Sequence, residues 1–85
     1  MTQPLAGKHI LIVEDEPVFR SLLDSWLSSL GAMTSLAEDG IDALEKMISI
    51  TPDLMICDIA MPRMNGLKLV EHLRNEGNQT PILVI

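Results

Sequence analysis

Ile10-Leu11-Ile12-Val13-Glu14-Asp15-Glu16 decides the fold of this 85-residue chain. Its apolar half is continuous and mostly β-branched, with no polar alternation. That is the pattern of a strand buried on both faces. Its acidic half ends the strand abruptly. Pro17 then stands in the first turn of the expected helix, where a missing N–H costs nothing. Phe19, Leu22, Leu23, Trp26, Leu27 and Leu30 follow at helical spacing. Gly31 is the expected stop. This stripe places Trp26 in the core or at its edge.

The alternation repeats outward from that stretch. Residues 32–36 form a short second strand. Asp39-Gly40 opens a second helix, with Asp39 as its N-cap. Ile41, Leu44, Met47 and Ile48 form its inner face, and Thr51-Pro52 breaks it. Leu54-Met55-Ile56-Cys57 is a third buried strand, followed by the loop Asp58-Ile-Ala-Met-Pro-Arg-Met-Asn-Gly66. A third helix turns Leu67, Val70 and Leu73 inward and stops at Asn75-Glu76-Gly77. Pro81 to Ile85 begins a fourth strand. The order β-α-β-α-β-α-β implies an α/β fold: a doubly wound parallel sheet with right-handed crossovers and helices on both faces. Residues 1–8 are an N-terminal arm, and 9–85 are a single unit without repeat or linker.

Composition narrows the function. Twelve acidic against six basic side chains give a net charge of −6, and 47% of residues are apolar. That apolar share suits a globular chain rather than an acidic tail. An acidic chain whose only aromatics are Phe19 and Trp26 repels phosphate backbones and offers bases little to stack on, so no nucleic-acid partner is expected. No run of 18 apolar residues exists to span a membrane, and the first eight residues lack the pattern of a secretory leader. A single cysteine, Cys57, fits a small core residue in a reduced, cytoplasmic protein. His9 and His72 lack metal-ligand spacing and are expected at the surface. At this length an α/β fold is minimal or incomplete. Its last strand would be a bare apolar edge, and the 85 residues alone are expected to be marginally stable.

In doubly wound sheets ligands bind at the carboxyl ends of strands, near the point where strand order reverses. That rule points to Glu14, Asp15 and Asp58. If the first and third strands are neighbours, these carboxylates share one pocket. Two like charges about 4 Å apart repel by roughly 4 kcal/mol at an effective dielectric near 20. Neither cluster contains a Lys or Arg, although Arg63 is near. Such a set suits a hard divalent cation, Mg²⁺ first, which takes one or two carboxylates and accepts phosphate oxygens. An aspartate beside it can act as a nucleophile and form an acyl phosphate. Bland readings stand beside this one. Alone, Asp58 would more often cap a turn. Glu16 is either solvated or an N-cap. Asn65 and Gly66 suit a turn and a helix start, and Met61 and Met64 suit packing over the loop. Other phosphate-handling folds fail on the residues. There is no G-x-x-x-x-G-K-[S/T] run. Ala60 stands where a D-x-D phosphatase needs its second Asp. No His lies in the loop for cobalamin, and Glu14-Asp15-Glu16 would repel a flavin phosphate.

Ile10-Leu-Ile-Val-Glu-Asp-Glu16, Pro52-Asp-Leu-Met-Ile-Cys-Asp58 and Asp58-Ile-Ala-Met-Pro-Arg-Met-Asn-Gly66 resemble the response-regulator receiver domain, from about Lys8 to Ile85. The acidic pair and the D-x-x-M-P-x-M-x-G stretch are highly specific in combination. The resemblance implies a flavodoxin-like sheet of order 2-1-3-4-5, cut after strand four. It implies Asp58 as phospho-acceptor and Mg²⁺ held by Asp15, Asp58 and the Ala60 carbonyl, with Glu14 acting through metal-bound water. The implied donor is a phosphohistidine on a sensor histidine kinase or phosphotransfer protein, or a small phosphodonor. The implied chemistry is self-phosphorylation and slow autodephosphorylation rather than turnover. Met1-Thr-Gln-Pro-Leu5, Phe19-Arg-Ser-Leu-Leu-Asp-Ser-Trp26 and Met61-Pro-Arg-Met-Asn-Gly-Leu-Lys-Leu69 are similar to the branch of that family that delivers sigma-S to the ClpXP protease. That likeness implies sigma-S and ClpX as partners of a full-length protein, and an output through protein contact. The alternative is an interaction module for which phosphorylation is dispensable. The family also uses a Ser or Thr after strand four and a Lys after strand five. Ile85 is the last apolar residue before the expected hydroxyl, so neither can be assigned here.

Overall fold

The computed structural model describes residues 3–85; Met1 and Thr2, at the start of the expected arm, lie outside the described residues. The elements are β1 (His9–Val13), α1 (Pro17–Ser29), β2 (Met33–Ala37), α2 (Gly40–Lys46), β3 (Leu54–Cys57), α3 (Gly66–Asn75) and β4 (Ile82–Val84). The strands form one sheet of order β2-β1-β3-β4, all parallel. The 2-1-3-4 part of the expected order is therefore present. β1 lies between β2 and β3, with Val13 opposite both Ala37 and Cys57. This central position explains its unbroken apolar run, since four of its five residues are buried.

Successive strand residues point to opposite faces, so the sheet separates two cores. Leu11, Val13, Met55 and Cys57 face α2 and α3, packing with Ala43, Met61, Leu69 and Leu73. Ile10, Ile12 and Ile56 face α1 through Leu27. The arm is tied down: the Leu5 N–H donates to the Leu30 carbonyl at 3.0 Å, and Leu5 packs against the α1 side.

Local chemistry sets the helix ends. Glu16 is the N-cap of α1, its carboxylate accepting from the Val18 and Phe19 amides, with Pro17 in the first turn. Gly31, just past the end, has φ +99°, a conformation that favours glycine. Asp39 caps α2 and Asn65 caps α3.

Several sequence expectations are corrected. Trp26 is 59% exposed, and Phe19 and Leu22 are also exposed. The stripe on α1 is wider than the contact one helix makes with the sheet, and Leu27 is its one buried member. α2 ends at Lys46, before Thr51-Pro52, so Ile48 lies beyond the helix and is exposed; buried Ala43 takes the inner position. The inner face of α3 is Gly66, Leu69 and Leu73 rather than one led by Leu67, which is exposed. His9 is half-buried rather than on the surface, with its Nε2 2.7 Å from the Ser35 hydroxyl. His72 is exposed as expected and pairs with Glu76 on the next turn of α3.

Candidate functional site

β1 and β3 are hydrogen-bonded neighbours, and their carboxyl ends lie level. The ladder runs one step further, the Asp58 amide donating to the Val13 carbonyl at 3.0 Å. The chain therefore leaves both strands at the same edge of the sheet, carrying Glu14 and Asp15 from one and Asp58 from the other. One carboxylate oxygen from each of the three lies within 4.8 Å of the others. Glu14 is buried, Asp15 exposed and Asp58 half-buried, so the cluster is a shallow, open acidic cleft.

Main-chain contacts fix this geometry. The Glu14 amide donates to the Ala37 carbonyl, and the Glu14 carbonyl accepts from the Arg20 guanidinium at 2.7 Å. The Glu14 carboxylate accepts from the Glu16 amide at 3.2 Å. The Asp58 carboxylate accepts from the Ala60 amide at 3.2 Å, tying the start of the loop to the end of β3. The Gly66 amide donates to the Ile59 carbonyl. Gly66 is needed here for space, since a Cβ would lie 2.5 Å from the Asp58 carbonyl oxygen.

The electrostatics are those of a site lacking a counter-charge. Burial holds the Glu14 carboxyl above its usual range; the Glu16 amide partly offsets this, and the negative charges of Asp58 and Asp15 raise it further. Among the described residues, no basic side chain forms a salt bridge with these three carboxylates. Arg20 contacts the Glu14 main chain, and Arg63, five residues after Asp58, instead grips Asp39 through Nε at 2.5 Å and Nη2 at 3.1 Å. The donor set is all carboxylate oxygen, partly exposed and mutually repulsive, which fits a hard divalent cation. Cys57 sits behind it, fully buried, its thiol pushed up to about 11 by burial and then by Asp58 and Glu14. It is an inert core residue. Met61 is buried against the core and Met64 packs beside it.

All three carboxylates singled out from sequence thus come together. Two contacts were not legible. The Arg20–Glu14 contact is a main-chain contact, and no side-chain pattern announces it. The Asp39–Arg63 pair joins residues far apart in sequence, and Asp39 already had a sufficient reason to be present as a cap.

Comparison with known proteins bears on the same residues. The response regulator receiver domain family matches residues 10–85. The "Regulator of RpoS" of Escherichia coli K12 is 79% identical over all of this chain, which covers 25% of that protein. "Response regulator MprA" of Mycobacterium ulcerans is 42% identical over 77 residues, 91% of this chain and 33% of that one. The chain thus spans about a quarter to a third of the length of these curated relatives. Among solved structures, the response regulator TrrA of Thermotoga maritima, in complex with Mg(2+)-BeF, is 39% identical with a TM-score of 0.85. The match covers 91% of this chain and 67% of that one. The receiver domain of a sensor histidine kinase from Pseudomonas aeruginosa, with magnesium coordinated in its active site cleft, is 32% identical with a TM-score of 0.85. There the match covers 93% of this chain and 66% of that one.

Proposed function

From the premise that this chain belongs to the response-regulator receiver family, we propose that it is a phospho-accepting switch in which Asp58 takes a phosphoryl group. One observation carries this reading. Glu14, Asp15 and Asp58 converge within 4.8 Å at the ends of β1 and β3. Asp15, Asp58 and the Ala60 carbonyl would hold Mg²⁺, with Glu14 acting on it through water. Bound there, the ion supplies charge neutralisation for the phosphoryl oxygens. The chain's own part is positional. The Asp58 carboxylate accepts from the Ala60 amide, and one of its oxygens lies within 4.8 Å of those of Glu14 and Asp15. That oxygen forms the bond to phosphorus as the bond from phosphorus to the donor breaks. The leaving group is the imidazole of a phosphohistidine or the carboxylate of a small acyl phosphate. Products are a mixed anhydride on Asp58 and the free donor.

The likeness to the Regulator of RpoS supports a proposed output through protein contact. The full-length protein binds sigma-S and hands it to ClpX, in the cytoplasm, under control of the phosphoryl group. The test is to incubate the full-length protein with acetyl phosphate and Mg²⁺ and measure intact mass. The wild type gains one phosphoryl group and Asp58→Ala gains none. No adduct, or an adduct that persists in the variant, overturns the reading.

A second reading has one observation in its favour. Val18, Phe19, Leu22 and Trp26 leave exposed apolar side chains along α1. A module that binds through them needs no phosphoryl group. Pull-down of sigma-S with Asp58→Ala separates the two: unchanged capture favours this second reading, and a large loss favours the first.

A further inference from the structure

The Asp39–Arg63 pair reaches across two connections of the fold. Asp39 ends the β2–α2 turn and is 5% exposed. Its Oδ1 accepts from the Asp42 amide at 2.8 Å, so it is locked as the cap of α2. Arg63 belongs to the loop between β3 and α3, and its guanidinium takes both carboxylate oxygens of Asp39. Fork-on-carboxylate pairing of this kind fixes orientation as well as distance. A second contact lies beside it. A Cβ on Gly40 would lie 2.7 Å from the Cβ of Met64, so the loop rests directly on the start of α2. The loop is therefore held at Arg63 and Met64 against α2, and at Gly66 against the Asp58 main chain. Between Asp58 and Arg63 the loop exposes Ile59 and Ala60, while Met61 is buried in the core beneath.

We infer that Asp39 and Arg63 are positioning residues for the acidic cleft: their pair pins the 59–65 loop to the start of α2 and thereby sets the main chain at Ala60. This rests on the reading above, in which the Ala60 carbonyl and Asp58 hold Mg²⁺. Supports one step removed from a metal are worth about 10–100-fold in affinity when lost, because the ligands they aim become mobile. Arg63 is about half exposed, so solvent screening limits what its pair with Asp39 adds to global stability. Its larger effect is on geometry.

The sign of the effect makes the inference testable. Removing a cation near an acidic cluster should, by long-range electrostatics alone, tighten Mg²⁺ binding. Loss of a positioning residue should weaken it. The experiment measures the Mg²⁺ dissociation constant by calorimetry on full-length wild type, Arg63→Ala, Arg63→Lys and Asp39→Asn, with melting temperatures alongside. We expect Kd for Mg²⁺ to rise about tenfold in Arg63→Ala and Asp39→Asn, and less in Arg63→Lys, which keeps the charge without the fork. A Kd for Arg63→Ala that falls, or rises less than threefold, overturns the inference. So does a wild type that binds no Mg²⁺. A wild type that binds Mg²⁺ yet takes no phosphoryl group overturns the proposed function alone, and the Arg63→Ala ratio still decides the role of the pair.

Discussion

Two buried carboxylates in this chain are shifted in opposite directions, and the contrast locates the site. Arg63 beside Asp39 holds that carboxyl below its usual range, against the opposing effect of burial. Asp39 therefore stabilises the fold fully above about pH 3.8, and the contribution is lost as pH falls through its lower folded value. Glu14 is buried among carboxylates and shifted upward. Between its usual pKa of 4.5 and the raised folded value, the folded chain binds more protons than the unfolded one. Stability must then fall as pH rises through that window, and the cost is fully present above it. In chelator, Glu14→Gln is expected to melt higher than wild type at pH 7, with the gap closing below about pH 4.5. Thermal melts at several pH values check this. Equal melting temperatures at pH 7 would show that Glu14 is not strained by its neighbours.

At the scale of elements, helix faces were harder to read than strands. The strand runs were legible because burial on both sides leaves no register to choose, and β3 spans Leu54–Cys57 as expected. On α3 two apolar stripes compete, one through Leu67 and one through Leu69. The fold chooses the second because Gly66 must sit against the Asp58 carbonyl, which points that side of the helix inward. Leu69→Ala should cost about 2–5 kcal/mol in urea unfolding. Leu67→Ala, on the exposed side, should stay within about 0.5 kcal/mol. A reversed order would place the wrong face on the sheet. On α1 the stripe marked the element correctly and overstated its burial, because spacing reports which residues share a side and not how much of that side is covered. The carboxylates of the site were legible for a different reason. A strand that is apolar to its last residue and then acidic carries its functional group at a known edge. The Arg63 contact depends on how the 59–65 loop lies over α2, which no local pattern encodes.

At the scale of the molecule, the sheet is covered unevenly. α2 and α3 share one face, whereas among the described residues the other is covered by α1 with Leu5 of the arm. Leu83 on β4 stands opposite Ile56 yet is 52% exposed. Among the described residues β4 pairs only with β3, leaving an apolar edge. The 85-residue chain expressed by itself should therefore unfold with low cooperativity and self-associate. A sharp thermal transition of a monomer, followed by near-ultraviolet dichroism and light scattering, would refute this. The parallel topology also has a kinetic meaning. No strand pairs with one adjacent through a tight turn, and the contact between His9 and Asp53, where β1 meets β3, closes 44 positions of chain. Such distant closures come late in folding, since their entropy is lost before the contacts repay it. Glu14 and Asp15 meet Asp58 only after that closure. A cation held there has nothing to grip in the early collapsed chain, so it acts as a brake on unfolding rather than a guide to folding.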